Sequence, residues 1–252
     1  MAETHFGASI EQVRADELEE ARSVQKAMVA LEPLAAPGLE FASLFRPVAE
    51  VGGDFLDHFW LDDNHLGFYL GDVVGKGLPA AMYAALAVGT LRGIHKGGEP
   101  PENVLALLNS RLRMRLMPGR YAAVQYAMYD PVSRNLCFSN AGLPRPVHVS
   151  ADGCREIGEG GLPSGLFPQA RYTPLVTTLL PGDLVLFSTD GITEARNASD
   201  EEYGLDRLTD FCARRRSDPA AGFLAALIAD VDHFTAGARQ HDDITAAALK
   251  AI

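Results

Sequence analysis

The sequence has little cysteine, a single tryptophan and a shortage of positive charge. Its 252 residues include 3 cysteines, 22 lysines and arginines, and 33 aspartates and glutamates, which gives a net charge of −11. Cys137, Cys154 and Cys212 are far apart and form no CxxC pair, so neither a disulfide framework nor a zinc site is predicted. So acidic a chain does not suit the phosphate backbone of nucleic acids or an anionic membrane surface. We therefore expect no nucleic-acid partner.

Targeting segments and the common catalytic motifs are also missing. Residues Met1–Gly7 have neither the basic nor the apolar region of a signal peptide, and the most apolar stretch, Ala80–Leu91, is shorter than a membrane span. The sequence contains no GxSxG, Walker A or HExxH motif, so a serine nucleophile, a phosphate-binding P-loop and a zinc protease site are not indicated. We expect a soluble cytoplasmic protein that contacts no membrane and whose chemistry needs no nucleophilic side chain.

The residues that are present fit one globular domain of the α+β class. An apolar fraction of 47% is enough for one core. Short hairpin spacing around two helix pairs favours antiparallel sheets flanked by helices over a βαβ sheet. The predicted helices are Gly77–Ile94, Glu102–Met117, Leu205–Arg215 and Ala220–Phe234. The predicted strands are Leu39–Arg46, Asp57–Leu61, His65–Leu70, Tyr121–Tyr129, Asn135–Asn140, Arg145–Val149, Leu184–Ser188 and Ile244–Leu249.

A further helix, over residues 16–31, precedes this pattern. Asp16 followed by Glu19 matches a capping box, and Leu18, Gln25 and Met28 fall on one helical face. Two interpretations stay open: the helix packs on its own domain, or it pairs with a second copy of itself. Two heptads do not decide between them.

The candidate functional residues lie in five short segments rich in glycine and other small residues. These segments are Val51–Asp54, Gly71–Gly77, Ser139–Gly142, Ser188–Gly191 and His241–Thr245. Four hold an aspartate, and the third holds Asn140. Taken singly, each acid is better explained as a turn residue or a helix cap. Four acids that converge at strand ends would repel one another unless cations neutralised them, and hard oxygen ligands beside glycine suit divalent cations. Together they indicate two metal ions that promote phosphate-ester hydrolysis.

Two further details concern individual acids. Asp72 precedes the helix Gly77–Ile94, whose N-terminus favours anions, and Lys76 adds positive charge there. Asp242 and Asp243 are adjacent, so they point to opposite faces of an extended chain, and only one of them should reach a given metal directly.

As a set, these segments resemble the metal-dependent PPM (protein phosphatase type 2C) family, and within it the bacterial SpoIIE/RsbU-like serine/threonine phosphatases. The resemblance runs from about Asp16 to the end of the chain. It rests on Glu50–Phe55, Gly71–Ala81, Asn140–Gly142, Phe187–Glu194 and His241–Thr245, which occur in the family's order.

The resemblance implies an αββα sandwich, in which two antiparallel β-sheets pack face to face with helices outside. It implies two Mn²⁺ or Mg²⁺ ions that activate the attacking water. Asp72 would bridge the ions, the Val73 carbonyl would bind one of them, Asp190 and Asp242 would hold the other, and Asp54 would bind directly or through water. Asp243 would contact the metal-binding residues and would not bind an ion itself.

The family's phosphate-binding arginine has no secure counterpart here; Arg46 is the nearest candidate, and Lys76 is a second candidate phosphate contact. The histidine acid of eukaryotic relatives falls at Val74, which leaves protonation of the leaving group unexplained.

Relatives of this branch commonly dephosphorylate a serine or threonine of a STAS-domain anti-sigma-factor antagonist. The resemblance therefore implies sigma-factor signalling, an N-terminal segment and linker or switch helix over residues 1–37, a catalytic domain over residues 38–252, and a homodimer through the N-terminal helix. Two alternatives stay open. One is a catalytically silent regulator that binds a signalling partner, although no metal-binding acid is missing; the other is a two-metal nuclease, which the acidic composition disfavours.

Overall fold

A computed structural model describes residues 10–114 and 117–252 of the chain, and it contains five α-helices and eleven β-strands within those ranges. The helices are α1 (Ile10–Met28), α2 (Gly77–Ile94), α3 (Pro101–Arg113), α4 (Gly204–Arg215) and α5 (Ala220–Thr235). The strands are β1 (Leu34–Ala36), β2 (Leu39–Arg46), β3 (Phe55–Trp60), β4 (Leu66–Val73), β5 (Ala122–Asp130), β6 (Asn135–Ala141), β7 (Val147–Ser150), β8 (Gly153–Glu156), β9 (Pro174–Thr178), β10 (Leu184–Ser188) and β11 (Ile244–Ala251).

The strands form two sheets in which every pairing is antiparallel. The six-stranded sheet has the order β1-β2-β11-β10-β7-β8, and the five-stranded sheet has the order β3-β4-β5-β6-β9. The chain passes from the first sheet to the second between β2 and β3 and returns for β7, β8, β10 and β11. Residues far apart in sequence therefore meet where the two facing sheets come together.

Aromatic side chains from both sheets fill the space between them. The Phe68 ring of β4 lies 4.9 Å from the Phe41 ring of β2 and 5.0 Å from the Phe187 ring of β10, measured between centroids. Phe138 of β6 contacts Phe187 edge to face at 5.5 Å. All four rings are almost completely buried. Tilted and edge-to-face rings of this kind hold two facing sheets together more firmly than burial alone does.

The helices cover the outer faces of the sheets. Helices α2 and α3 pack on the five-stranded sheet around Tyr69 and Tyr126, and α4 and α5 pack on the six-stranded sheet around Phe211 and Phe223. The predicted αββα sandwich of two antiparallel sheets flanked by helices is thereby confirmed.

The first helix differs from its prediction. It begins at Ile10 and ends at Met28, so Asp16 lies inside the helix, where it accepts a hydrogen bond from the Gln12 side chain at 3.1 Å and caps nothing. The capping-box pattern was misleading because it also occurs within a charged helical surface. Gln25 and Val29 are buried against the domain, whereas most of the preceding helix is exposed. Residues 1–9 of the predicted N-terminal segment lie outside the described part of the chain.

Three other differences concern the bounds and the number of the elements. Helix α3 ends at Arg113, before Met117, and residues 115 and 116 of the predicted helix are not among those described. Strand β4 continues through Asp72 to Val73, because β5 pairs with it as far as Val73↔Ala122. The short strands β1, β8 and β9 were not predicted.

Helix α2 is the one described helix that is long and apolar enough to cross a membrane by length and composition, a test that core helices also pass. It is longer than its apolar centre Ala80–Leu91. One face of α2, including Tyr83, Ala87 and Leu91, is buried in the core, whereas Leu78, Met82 and Leu86 are exposed. Its packing on the five-stranded sheet accounts for the buried third of this apolar helix.

Candidate active site

Asp54 lies in the turn before β3 and is almost completely buried. The hydroxyl of Thr189, the residue after β10, donates a hydrogen bond to its Oδ2 at 2.9 Å. Burial, followed by repulsion from the charges of Asp72 and Asp243, raises the pKa of Asp54 well above the ordinary 3.8. The carboxyl of Asp54 thus belongs to a group of acids and is not an isolated turn residue.

Asp72 is the next-to-last residue of β4, at the end of a strand whose other residues are buried. Burial, followed by repulsion from Asp190 and Asp242, raises its pKa to about 7. A shift of this size requires nearby like charges or a dry site, and Asp72 has both. Perturbed carboxylates of this kind cluster at functional sites.

Asp190 and Asp242 reach the same place from the other sheet. Asp190 lies two residues after β10, Asp242 lies two residues before β11, and these two strands are antiparallel neighbours. Burial, then the charge of Asp242, raises the pKa of Asp190. The structure thus brings together the four acids proposed from the sequence: Asp54 and Asp72 beside the five-stranded sheet, and Asp190 and Asp242 beside the six-stranded one.

Lys76 extends across this group from the loop before α2. Its Nζ lies 2.8 Å from Oδ2 of Asp242, and it also donates to the main-chain carbonyl of His241. The ammonium therefore neutralises part of the charge that the acids concentrate here. Both side chains of the pair are partly exposed to solvent, so the ion pair can exchange its partners without unfolding the site.

Asp243 turns away from Asp242 and holds the loop that precedes Asp54. Its Oδ1 accepts a hydrogen bond from the main-chain N–H of Val48 at 2.7 Å, and its Oδ2 accepts one from that of Asp54 at 3.2 Å. Its side chain is buried. The opposite orientations expected of neighbouring residues in an extended chain are consistent with this placement.

The Gly52–Gly53 pair permits two close approaches that a side chain would block. A Cβ at Gly52 would lie 2.0 Å from Oδ2 of Asp243, and one at Gly53 would lie 2.8 Å from the carbonyl oxygen of Val73. The turn carrying Asp54 and the end of β4 are therefore in direct contact. The Val73 carbonyl at this contact is also the main-chain metal ligand that the sequence predicts.

A pocket of about 360 Å³ opens beside the acids, between the end of β2, the loop after β10 and the segment from α5 to Asp242. Arg46, Lys76 and Asp242 are among its lining residues. Arg46 forms an ion pair with Asp232 of α5, with an Nη1–Oδ1 distance of 2.7 Å. Arg196 and Arg239 also line the pocket, so four cationic side chains stand among its acidic ones.

The donor chemistry of the acids suits a divalent cation, because carboxylates that raise one another's pKa are stabilised by a shared positive charge. Within residues 10–114 and 117–252, however, no three histidine, cysteine or acidic side chains are arranged as a metal ion would require. Asp242 is engaged by Lys76, and Asp243 by main-chain donors. Cation binding would therefore need side-chain rotations, including release of Asp242 by Lys76.

Two residues of this region were not predicted from the sequence to belong to the site. Thr189, between β10 and Asp190, donates to Asp54 and also accepts a hydrogen bond from the main-chain N–H of Thr245 at 3.1 Å. Glu194, for which no role was predicted, has a raised pKa through burial and then through the charge of Asp190. A hydroxyl directly beside a candidate acid was the available signal for Thr189.

Asn140 closes its own turn after β6. Its amide donates to the carbonyl of Leu143 at 2.8 Å and accepts from the N–H of Leu143 at 2.9 Å. Both polar groups of the Asn140 side chain are thus hydrogen-bonded to the main chain of Leu143, and these bonds close the turn.

Comparison with known proteins agrees with this architecture. The family model of Stage II sporulation protein E (SpoIIE) matches residues 62–251. Protein IcfG of Synechocystis is 25% identical over 267 residues, covering 92% of this chain and 41% of the relative. Phosphoserine phosphatase RsbU of Bacillus subtilis is 24% identical over 189 residues, covering 74% of this chain and 56% of the relative. The chain therefore spans about half the length of these curated relatives.

Among solved structures, the SiaA-PP2C domain of Pseudomonas aeruginosa superposes with a TM-score of 0.83. The alignment covers 96% of this chain and 98% of that domain at 20% sequence identity. At this identity the likeness establishes the fold.

Proposed function

The chain belongs to the SpoIIE family and has the fold of a PP2C domain, and from this premise we propose that it is a serine/threonine protein phosphatase that hydrolyses phosphoserine or phosphothreonine. One observation carries the proposal: four aspartates from four separate segments lie so close together that the charges of neighbouring acids help to raise the pKa values of Asp54, Asp72 and Asp190. Such a group is costly without a ligand that compensates its charge.

Two Mn²⁺ or Mg²⁺ ions are the proposed cofactors, with Asp54, Asp72, the Val73 carbonyl, Asp190 and Asp242 as ligands. When bound, such ions neutralise phosphoryl charge and lower the pKa of a water molecule that attacks phosphorus. The chain itself supplies the positions: Thr189 orients Asp54, and Asp243 fixes the main chain that carries it. No nucleophilic side chain has a part in this scheme.

The pocket beside the acids is the proposed approach for the phosphorylated segment. Lys76 and Arg46 line it and are the proposed phosphate contacts. A guanidinium pairs with phosphate through two parallel hydrogen bonds. Arg46 would have to exchange Asp232 for phosphate, which is inexpensive for a partly exposed ion pair.

The proposed substrate is a phosphorylated STAS-domain anti-sigma-factor antagonist, in keeping with the similarity to RsbU. The proposal also includes a cytoplasmic role in signal transduction, a catalytic domain over residues 38–252 and a preceding segment over residues 1–37. It further includes a homodimer through α1, on which Val13 and Val24 are exposed.

The test is phosphate release from a phosphorylated STAS protein and from an aryl phosphate, with Mn²⁺ and with chelator. We expect metal-dependent turnover that Asp72→Asn, Asp190→Asn and Asp242→Asn each reduce by about 100-fold or more, because each removes a charged ligand. Asp63→Asn, at an exposed turn position, is the matched control and should retain full activity. Thermal melts of all variants separate lost chemistry from lost folding.

The alternative, a silent regulator, makes the opposite prediction. It would bind the phosphorylated partner tightly and release no phosphate from either substrate with any metal. That outcome, obtained with folded protein, would refute the phosphatase proposal.

A further inference from the structure

One side chain of α1 contacts the turn that carries Asp54. Gln25 is 4% exposed. Its Nε2 donates to the carbonyl of Gly52 at 2.8 Å, and its Oε1 accepts from the N–H of the same residue at 3.1 Å. A primary amide can donate and accept at once, so it pairs with one residue's main chain as a neighbouring β-strand would. Gln25 thereby satisfies both polar main-chain groups of Gly52.

The same turn is held from the opposite side by Asp243. Its carboxylate accepts from the N–H groups of Val48 and Asp54, and it lies so close to Gly52 that no Cβ would fit between them. Gly52 is thus enclosed between an amide from α1 and the carboxylate of the residue that precedes β11. A shift of Gly52 would move Asp54, two residues later.

Gln25 does not hold α1 in place by itself. Arg92 of α2 donates to the carbonyl of Met28, the last residue of α1, at 3.0 Å, and Val29 is buried in the core between the sheets. The end of α1 therefore keeps two other attachments when the amide is removed. This separates the role of Gln25 from simple attachment of the helix.

We propose that Gln25 is a positioning residue, which fixes Gly52 and so sets the place of Asp54 in the group of acids. The docking of α1 is thereby coupled to the candidate active site through one buried amide. The consequence for catalysis rests on the proposed phosphatase function, whereas the consequence for the geometry of the turn does not.

The test compares Gln25→Met, which removes both hydrogen bonds at similar volume, with Gln12→Met on the exposed first turns of the same helix. Amide hydrogen exchange is measured at Gly52 and Asp54 in chelator. We expect exchange at both amides to quicken by roughly tenfold in Gln25→Met, the effect of losing about one net hydrogen bond, and to be unchanged in Gln12→Met. The Asp54 amide is decisive because it is bonded to Asp243 and not to Gln25.

Gln25→Glu provides a second comparison. It retains an acceptor for the N–H of Gly52 but sets a carboxylate against the Gly52 carbonyl, so exchange should quicken at least as much as in the methionine variant, although glutamate has nearly the shape of glutamine. If Gln25→Met is not folded at the assay temperature, Gln25→Asn, one methylene shorter with the same polar groups, takes its place.

Turnover of an aryl phosphate with Mn²⁺ gives the catalytic readout. We expect kcat to fall about tenfold in Gln25→Met with KM within about twofold, and the Mn²⁺ concentration for half activation to rise, because the position of Asp54 changes and the pocket does not. Unchanged Asp54 exchange in a folded Gln25→Met protein would overturn the positioning role. A wild-type protein without turnover would instead refute the phosphatase proposal and leave the exchange comparison valid.

Discussion

Replacement of Asp72 by asparagine should stabilise the metal-free protein at alkaline pH. Burial and the charges of Asp190 and Asp242 raise the pKa of Asp72 from 3.8 to about 7. The folded protein therefore binds more protons than the unfolded chain between these two values. The free energy of unfolding falls as the pH rises through this window, and the whole penalty is present above about pH 7.

The size of the effect follows from the shift. Roughly 3 pKa units at 1.36 kcal/mol each give about 4 kcal/mol as an upper limit. Asparagine removes the charge but retains the volume and a polar group, so about 2–4 kcal/mol of stability should return at pH 8. For a chain of this length the melting temperature should then rise by roughly 4–16 °C.

The measurement is a thermal melt in chelator at pH 5 and at pH 8, for the wild type, Asp72→Asn and the exposed control Asp63→Asn. We expect Asp72→Asn to melt higher than the wild type at pH 8, with a smaller difference at pH 5, and the control to match the wild type at both. Added Mn²⁺ should raise the melting temperature of the wild type more than that of Asp72→Asn. A variant no more stable than the wild type at pH 8 would show that the acids do not repel one another as described.

Two other substitutions test the surroundings of the acids. Lys76→Met removes an ammonium 2.8 Å from Asp242 and should lower the free energy of unfolding by about 0.2–1 kcal/mol without metal, because the ion pair is partly exposed. In thermal melts, added Mn²⁺ should raise the melting temperature of the variant more than that of the wild type. Equal rises would contradict competition between Lys76 and a cation for Asp242. Gly53→Ala should lower the free energy of unfolding in urea by about 1–3 kcal/mol, because its methyl group would meet the Val73 carbonyl at 2.8 Å. Gly89→Ala, in the middle of α2 with open space around it, should raise this free energy by about 0.5–1 kcal/mol. Similar effects at both glycines would argue against the close approach at Gly53.

Much of the fold was predictable because its central elements carry strong local patterns. Helix α2 begins and ends where the sequence predicts, as do strands β2 and β10, since long apolar or alternating segments leave few alternatives. Three short edge strands, β1, β8 and β9, were missed for a physical reason. Strand β9 alternates between exposed and half-buried residues and pairs on one side only, so its sequence differs little from that of a polar loop.

The candidate acids were predictable as residue types, whereas the contacts that hold them were not. Asp54 and Asp72 stand beside glycine at the ends of apolar segments, which marks them locally. The hydrogen bonds from Thr189 to Asp54 and from Gln25 to Gly52 join residues 135 and 27 positions apart. Such pairings depend on how the two sheets and α1 come together, which no local pattern in one sequence specifies.

The division of the acids between the two sheets explains why polar contacts crowd this edge of the molecule. Asp54 and Asp72 belong to the five-stranded sheet, Asp190 and Asp242 to the six-stranded one, so their repulsion acts to separate the sheets here. Three contacts bridge the same gap: Thr189 to Asp54, Asp243 to the N–H of Asp54, and Lys76 to Asp242. Because these contacts oppose the repulsion at the place where it acts, any change in the charge of the acids must also change how firmly the two sheets are joined.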